Sequence, residues 1–352
     1  MKLPKPENLA GDFWGGFAAM LVALPSAIAF GVTIYASLGG SYAAYGALAG
    51  ILGATAMGLV ASSMGGTNRL ISAPCAPAAA VLTAFAIERI QHGVDAAVVA
   101  VLLAALGLTA GVLQVIFGAV GLGRLIKYMP YPVVSGYLSG VGLYIISGQV
   151  PKFLGTPAGT HLGHALTSPA LWVWQGMTVG AVTILAMLFA PRVTQRVPAA
   201  ILALLAGVLC YFGLSLFDAA LLEPRNPLVI GPLGGSGGGG FVDAMAGRWT
   251  GVGQLGMADL AVLLVPALTL AVLLSIDTLK TCVVLDALTR SRHDSNRELI
   301  GQGLGNITSA VVGGMPGAGT MGATLVNMSS GALTRYSGFI EGVLALLAFL
   351  LL

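Results

Sequence analysis

The stretch Gly313-Gly-Met-Pro-Gly-Ala-Gly-Thr-Met-Gly322 decides how this chain is read. It lies inside a long apolar region, yet five of its ten residues are glycine and one is proline. A continuous membrane helix is poorly served by that composition, because glycine weakens a helix and proline removes a donor and clashes with the preceding turn. Irregular backbone at membrane depth survives only where it is buried in protein or lines a wet cavity. A second stretch of this kind, Ser72-Ala-Pro-Cys-Ala-Pro77, interrupts the apolar sequence of the first half. Two broken apolar segments, one in each half, point to a transporter site near the membrane midplane. The plainer reading, two surface loops, lacks the polar flanks that such loops carry.

Composition agrees. Of 352 residues, 57% are hydrophobic and 8% charged, and the mean hydropathy is +0.92. Soluble domains carry about 25% charged residues, so the chain reads as an all-α polytopic membrane protein. The net charge of +3 calls for no nucleic-acid partner, since basic loops are expected on the cytoplasmic side of membrane proteins. Cys75, Cys210 and Cys282 show no metal-type spacing; the last two read as small packing residues. The first apolar run continues to about Tyr35, longer than a signal peptide requires, and reads as a retained span.

Spans of about 20 apolar residues cross a bilayer. They are expected at Phe13–Ile34, Tyr42–Ser62, Ala96–Val120, Val133–Val150, Leu171–Ala190 and Pro198–Phe217, with a half-span at Ala76–Ile87. An external segment, Asp218 to about Gly256, contains the linker-like run Gly234–Gly240. That run is no phosphate loop, because no Lys-Ser/Thr follows it. The second half gives Leu260–Leu288, Leu299–Val312, a half-span at Thr320–Ser330, and Ser337 onward. With the N-terminus in the cytoplasm, 11 Lys and Arg fall on inner loops and 4 on outer ones, with Lys280 left near the inner end of a span. This asymmetry supports a multi-pass protein of the inner cell membrane with a cytoplasmic N-terminus. Both halves run two spans, a Pro/Gly break and a half-span. An odd count of seven crossings in the first half turns the second half over, so an inverted repeat follows. The second half holds about four spans and reads as truncated.

Asp277, in Leu274-Ser-Ile-Asp-Thr-Leu-Lys-Thr281, is an ionisable group inside the eighth span, and such groups face a cavity or a partner. Thr281, four residues on, shares its helix face. Hard cations favour oxygen ligands, so Asp277, Thr281 and backbone carbonyls at Gly317, Ala318 and Gly319 make a candidate Na⁺ site. Two alternatives stay open: Asp277 pairs with Lys280 and anchors the helix, or it binds a proton. The half-spans begin just after their breaks, and a helix N-terminus attracts an anion. Cys75 and Ala76, with Ala318, Gly319 and Thr320, are therefore candidate anion contacts. Asp286, Asp294, Arg297 and Glu298 read as solvated or capping charges. Asn327 must find buried partners. The four histidines lie in loops with no second catalytic group, so no enzyme is expected.

At these residues the sequence resembles the sulfate permease (SulP) family of anion transporters. The matching stretches are Leu24-Pro-Ser-Ala-Ile-Ala-Phe, Ile71-Ser-Ala-Pro-Cys-Ala-Pro77, Asn296-Arg-Glu-Leu-Ile-Gly-Gln-Gly-Leu-Gly-Asn306, and Gly313-Gly-Met-Pro-Gly-Ala-Gly319 with Val326-Asn327. Ser275-Ile-Asp-Thr-Leu-Lys-Thr281 looks most like the sodium-dependent bicarbonate transporters of cyanobacterial type. The resemblance implies a seven-plus-seven inverted-repeat fold, with residues 1–130 and 258–352 forming the two core repeats. Residues 131–257 would then be gate helices and an external segment, and the remaining gate helices and a cytoplasmic STAS domain would be absent. It also implies Na⁺ at Asp277, Thr281 and Gly317–Gly319, an anion between the half-helices, an elevator-like movement and a homodimer. Departures are Ser26 where many members carry Gln, Cys75 where the bicarbonate type has Thr, and Ala323 where many carry Arg. The missing Arg favours a monovalent anion over sulfate.

The expected function is thus Na⁺-coupled symport of a small inorganic anion such as bicarbonate. Alternatives are proton-coupled or exchange transport of sulfate or a dicarboxylate, and an anion channel.

Overall fold

A computed structural model describes residues 8–39, 42–128, 149–157, 160, 162–193, 199–223, 226 and 257–351, with isolated positions between 132 and 147. The expected span Val133–Val150 lies largely outside the described residues. So do the external segment over 227–256, and the basic residues Lys2, Lys5, Arg196, Arg225 and Arg248.

The helices in chain order are α1 (Leu9–Ala36), α2 (Ala43–Met64), α3 (Ala76–Gln91), α4 (Ala96–Ala119), α5 (Leu162–Thr167), α6 (Trp174–Val193) and α7 (Ala199–Ser215). They continue with α8 (Met257–Thr289), α9 (Ser295–Val311), α10 (Met321–Ser329) and α11 (Tyr336–Leu351). Two strands of three residues, β1 (Ser72–Pro74) and β2 (Gly317–Gly319), occupy the two breaks. Five of the described helices are long and apolar enough to cross a membrane: α1, α2, α4, α6 and α8. The order helix, helix, strand, short helix occurs in both halves, as α1–α2–β1–α3 and α8–α9–β2–α10.

Local sequence explains the helix starts. Asn8, Asp95 and Asp294 each accept a first-turn N–H, from Gly11, Ala97 and both Asn296 and Arg297 respectively. Such caps satisfy donors that the helix itself leaves open. Asp294 therefore caps as expected. Glu298 does not: it is 2% exposed and accepts from the Gly66 N–H at 2.8 Å and from Gln302 Nε2 at 2.9 Å. The loop after α2 folds over the first turn of α9, and that cover buries the carboxylate.

The chain divides into two compact units, Met1–Met129 with Leu233–Leu352, and Pro130–Pro232. In the second unit, α6 packs along α7, where Gly207 faces Thr183. In the first unit, small residues set the helix crossings. Gly31 of α1 lies against the backbone of Gly46 of α2, and Gly111 of α4 against Gly303 of α9. Close backbone approach through small residues is the usual packing device where lipid supplies no hydrophobic drive. A continuous apolar core joins α3, α4 and α8 through Leu82, Phe85, Leu102, Leu106, Leu270 and Leu274. α2 carries a π-turn at Met57–Ala61, and Glu341 and Gly342 of α11 press against Gly58 there.

A methyl group at Gly31 would overlap the Gly46 carbonyl. Gly31→Val is expected to cost about 1–3 kcal/mol or more through overpacking. A lowered melting midpoint of the detergent-purified protein checks this; an unchanged midpoint would show that the crossing yields.

Candidate anion site

The two chain breaks are not independent loops. They pair with each other as an antiparallel ladder, Ser72 opposite Gly319, Ala73 opposite Ala318 and Pro74 opposite Gly317. Sequence reasoning took them as irregular backbone and missed the pairing, because three-residue strands leave no periodic signal. Thr320 N–H extends the ladder to the Ile71 carbonyl at 2.8 Å.

Outward-facing groups of the ladder are held by side chains from neighbouring helices. Asn306 of α9 binds Gly317 twice, accepting its N–H at 2.8 Å and donating to its carbonyl at 3.0 Å. Thr278 of α8 accepts the Gly319 N–H at 2.9 Å, and Thr324 of α10 accepts the Ile71 N–H at 3.1 Å. With both glycine N–H groups turned outward, antiparallel alternation leaves Ala73 and Ala318 to exchange the ladder bonds. Close packing requires these residues to be small, since a side chain on Gly317 would run into the Ala73 backbone.

A buried polar relay supports the clamp. Asn306 also donates to Gln114 of α4 at 2.7 Å, and Gln114 reaches Ser275 of α8 at 3.5 Å. Gln302 donates to Ser72 of β1 at 2.6 Å. Glu298, Gln302, Asn306 and Ser309 recur at helical spacing and are all buried. That polar stripe, facing inward on α9, was the sequence signal for the clamp.

Two short helices start where the ladder ends. Cys75 is extended (φ −136°) just before α3, and Thr320 (φ −88°, ψ 128°) just before α10. The first intrahelical bonds are Ala79 N–H to Cys75 and Thr324 N–H to Thr320. By helix geometry, Ala76 and Ala78 on one side, and Met321, Gly322 and Ala323 on the other, present donors without an intrahelical acceptor. Of the other expected contacts, the Gly319 and Thr320 N–H groups already serve Thr278 and Ile71. Cys75 and Ala76 are buried at the start of α3, whereas Gly322 is exposed, with open space where a side chain would project.

Asp277, Lys280 and Thr281 face this core from α8. Asp277 is 8% and Lys280 6% exposed, and Lys280 Nζ lies 2.5 Å from Asp277 Oδ1. Their helix packs on the start of α3, with Leu274 and Cys75 in one apolar core. The Thr281 hydroxyl donates to the Asp277 carbonyl oxygen at 3.0 Å. Of the expected Na⁺ ligands, the carboxylate already holds an ammonium and the Gly317 carbonyl accepts from Asn306, while the Thr281 hydroxyl, a donor here, keeps its oxygen lone pairs open. Asn327, as expected for a buried amide, donates to the Arg69 carbonyl and to Ser337, each at 2.8 Å.

Residues 9–352 match the Sulfate permease family. The chain belongs to that family. It is 36% identical to the bicarbonate transporter BicA of Picosynechococcus sp., over 98% of this chain and 58% of the relative. The BicA of Synechocystis sp. is 34% identical, with 98% and 57% covered. The putative sulfate transporter YvdB of Bacillus subtilis is 27% identical, with 98% and 60% covered. The chain thus spans less than two thirds of these curated relatives. Among solved structures, the transmembrane domain of a cyanobacterial BicA superposes with a TM-score of 0.74 at 31% identity, covering 99% of this chain and 83% of that one. Murine Slc26a9, in its inward-facing state, shares the fold alone, with a TM-score of 0.67 at 15% identity. The architecture is therefore the inverted-repeat sulfate permease fold of a multi-pass membrane protein.

Asn306→Ala removes both partners of the Gly317 peptide groups. Each buried group left unpaired costs about 1–3 kcal/mol, so the melting midpoint and anion affinity should fall together. Retention of both would mean that the ladder holds without its clamp.

Proposed function

We propose that this protein carries a small inorganic monovalent anion, bicarbonate in the first instance, across the inner cell membrane. The observation that supports it is that both half-helices begin directly at the ladder, α3 after Pro74 and α10 after Gly319. Each helix N-terminus acts as about half a positive charge. Two together balance about one negative charge, which suits a monovalent anion better than sulfate. Ala323, where a basic residue would add a further charge, points the same way. The resemblance to transporters named for bicarbonate adds to this reading.

The anion sits between the starts of α3 and α10, on the N–H groups of Ala76, Ala78, Met321, Gly322 and Ala323, with Cys75 beside it. A carboxylate at Asp277 would cancel about one unit of the helix-end charge, so a cation must offset it there. Sequence reasoning expects that cation to be Na⁺, at Asp277 and Thr281. Transport follows an elevator-like movement of the core unit, in a homodimer with a cytoplasmic N-terminus. Sulfate exchange is the second reading, favoured by the relative named as a putative sulfate transporter.

Labelled bicarbonate and sulfate uptake into proteoliposomes separates the two. Bicarbonate uptake that unlabelled sulfate does not compete is expected; sulfate uptake exceeding bicarbonate uptake would reverse the assignment. In the same vesicles, Gly322→Leu fills the open space before α10 and should lower uptake at least tenfold while the protein remains monodisperse. Unchanged uptake would move the anion away from that helix end. Bicarbonate should also slow labelling of Cys75 by a small thiol reagent; labelling indifferent to the anion would contradict the placement.

A further inference from the structure

We propose that the cation offsetting Asp277 is the chain's own Lys280, a tethered ammonium that takes the place of a dissociable Na⁺. The inference rests on the anion-site reading above and names the charge partner of that site.

Three observations carry it. The Lys280 ammonium lies 2.5 Å from Asp277 Oδ1, with both side chains buried. The pair lies on α8, whose Leu274 shares an apolar core with Cys75, and the neighbouring residue Thr278 holds the Gly319 N–H of β2. Two of the carbonyls that would complete a Na⁺ cage already accept hydrogen bonds, Gly317 from Asn306 and Ala318 within the ladder.

Electrostatics gives this placement its consequence. A lone buried carboxylate is strongly disfavoured and must be paired. It would also oppose an anion at the adjacent helix ends, since like charges repel strongly at close range in a poorly polarisable interior. A dissociable cation would remove that opposition only when bound, and anion binding would then depend on the cation. A covalently attached ammonium removes it permanently. It also repels a second cation from the same carboxylate. Lys280 is therefore a specificity-determining residue: it makes anion binding independent of Na⁺, and its removal should create the dependence.

The test uses the protein in detergent and in proteoliposomes, with sodium gluconate against choline gluconate at equal ionic strength. For the unaltered protein, bicarbonate uptake should change less than twofold between the salts, and Na⁺ should not raise the melting midpoint more than choline does. For Lys280→Ala, uptake in choline should fall at least tenfold and recover in Na⁺, and Na⁺ should now raise the melting midpoint. Lys280→Met, which keeps side-chain volume, is the second variant should the alanine form fail to fold, and its expected behaviour is the same. A purely structural ion pair would lose stability in either variant without gaining a Na⁺ response. Na⁺-dependent uptake by the unaltered protein, a Na⁺-induced stabilisation of it, or full uptake by the variants in choline would overturn the proposal. The melting measurement reads the cation site without any anion. A protein that carries no bicarbonate would therefore sink the transport reading while the thermal arm still decides the claim about Lys280.

Discussion

Two breaks in the chain are buried, so their backbone groups must be satisfied by protein. That requirement organises the first unit. In a bilayer, an unpaired N–H or C=O costs several kcal/mol. Here Ile71–Pro74 and Gly317–Thr320 meet part of it by pairing with each other. Asn306, Thr278 and Thr324 take groups that face away from the ladder. Each clamp comes from a different helix, so the ladder ties α8, α9 and α10 to the first repeat. Glycine and alanine follow from this arrangement, because side chains at Gly317 or Gly53 would collide with the opposing backbone.

A short helix leaves each strand of the ladder, α3 after Pro74 and α10 after Gly319, at the ladder's two ends. Neither end has a basic side chain of its own, and Ala323 supplies none. The field comes from aligned peptide dipoles and open N–H donors, which suits a small ligand that must also be released. An acidic residue next to such a field is a liability unless it is compensated. The Asp277–Lys280 pair supplies the compensation within one turn of α8. Burial of that pair need not stabilise the fold, because desolvation offsets the attraction; its value lies in fixing the local charge.

Much of the fold was legible in the sequence for identifiable reasons. The apolar runs, Pro74, Pro77 and Pro316, and the glycines of 313–322 located the breaks and the two half-helices to within a few residues. The carboxylate in Leu274–Thr281 stood out because charge is rare in such segments. What stayed hidden depends on contacts between residues distant in sequence. Residues 72–74 meet 317–319 across about 245 positions, a partnership that no local pattern encodes. Glu298 looked like a capping charge because its cover, Gly66, lies 232 positions away. Asn306 and Gln302 were visible as a motif, yet their task became clear only once their partners, Gly317 and Ser72, were placed. The choice between Na⁺ and Lys280 at Asp277 turns on a rotamer that spacing alone leaves open.

The most direct measurement of the central claim is the distance from a bound anion to the two helix ends. Solid-state NMR dephasing between ¹³C-bicarbonate and ¹⁵N-labelled backbone amides reads it residue by residue. The account predicts strong dephasing at the amides of Ala76, Gly322 and Ala323, and none at Gly317 or Gly319, whose N–H groups are held by Asn306 and Thr278. Dephasing at Gly317 and Gly319 with none at Gly322 would contradict it, by placing the anion on the ladder rather than between the helix ends.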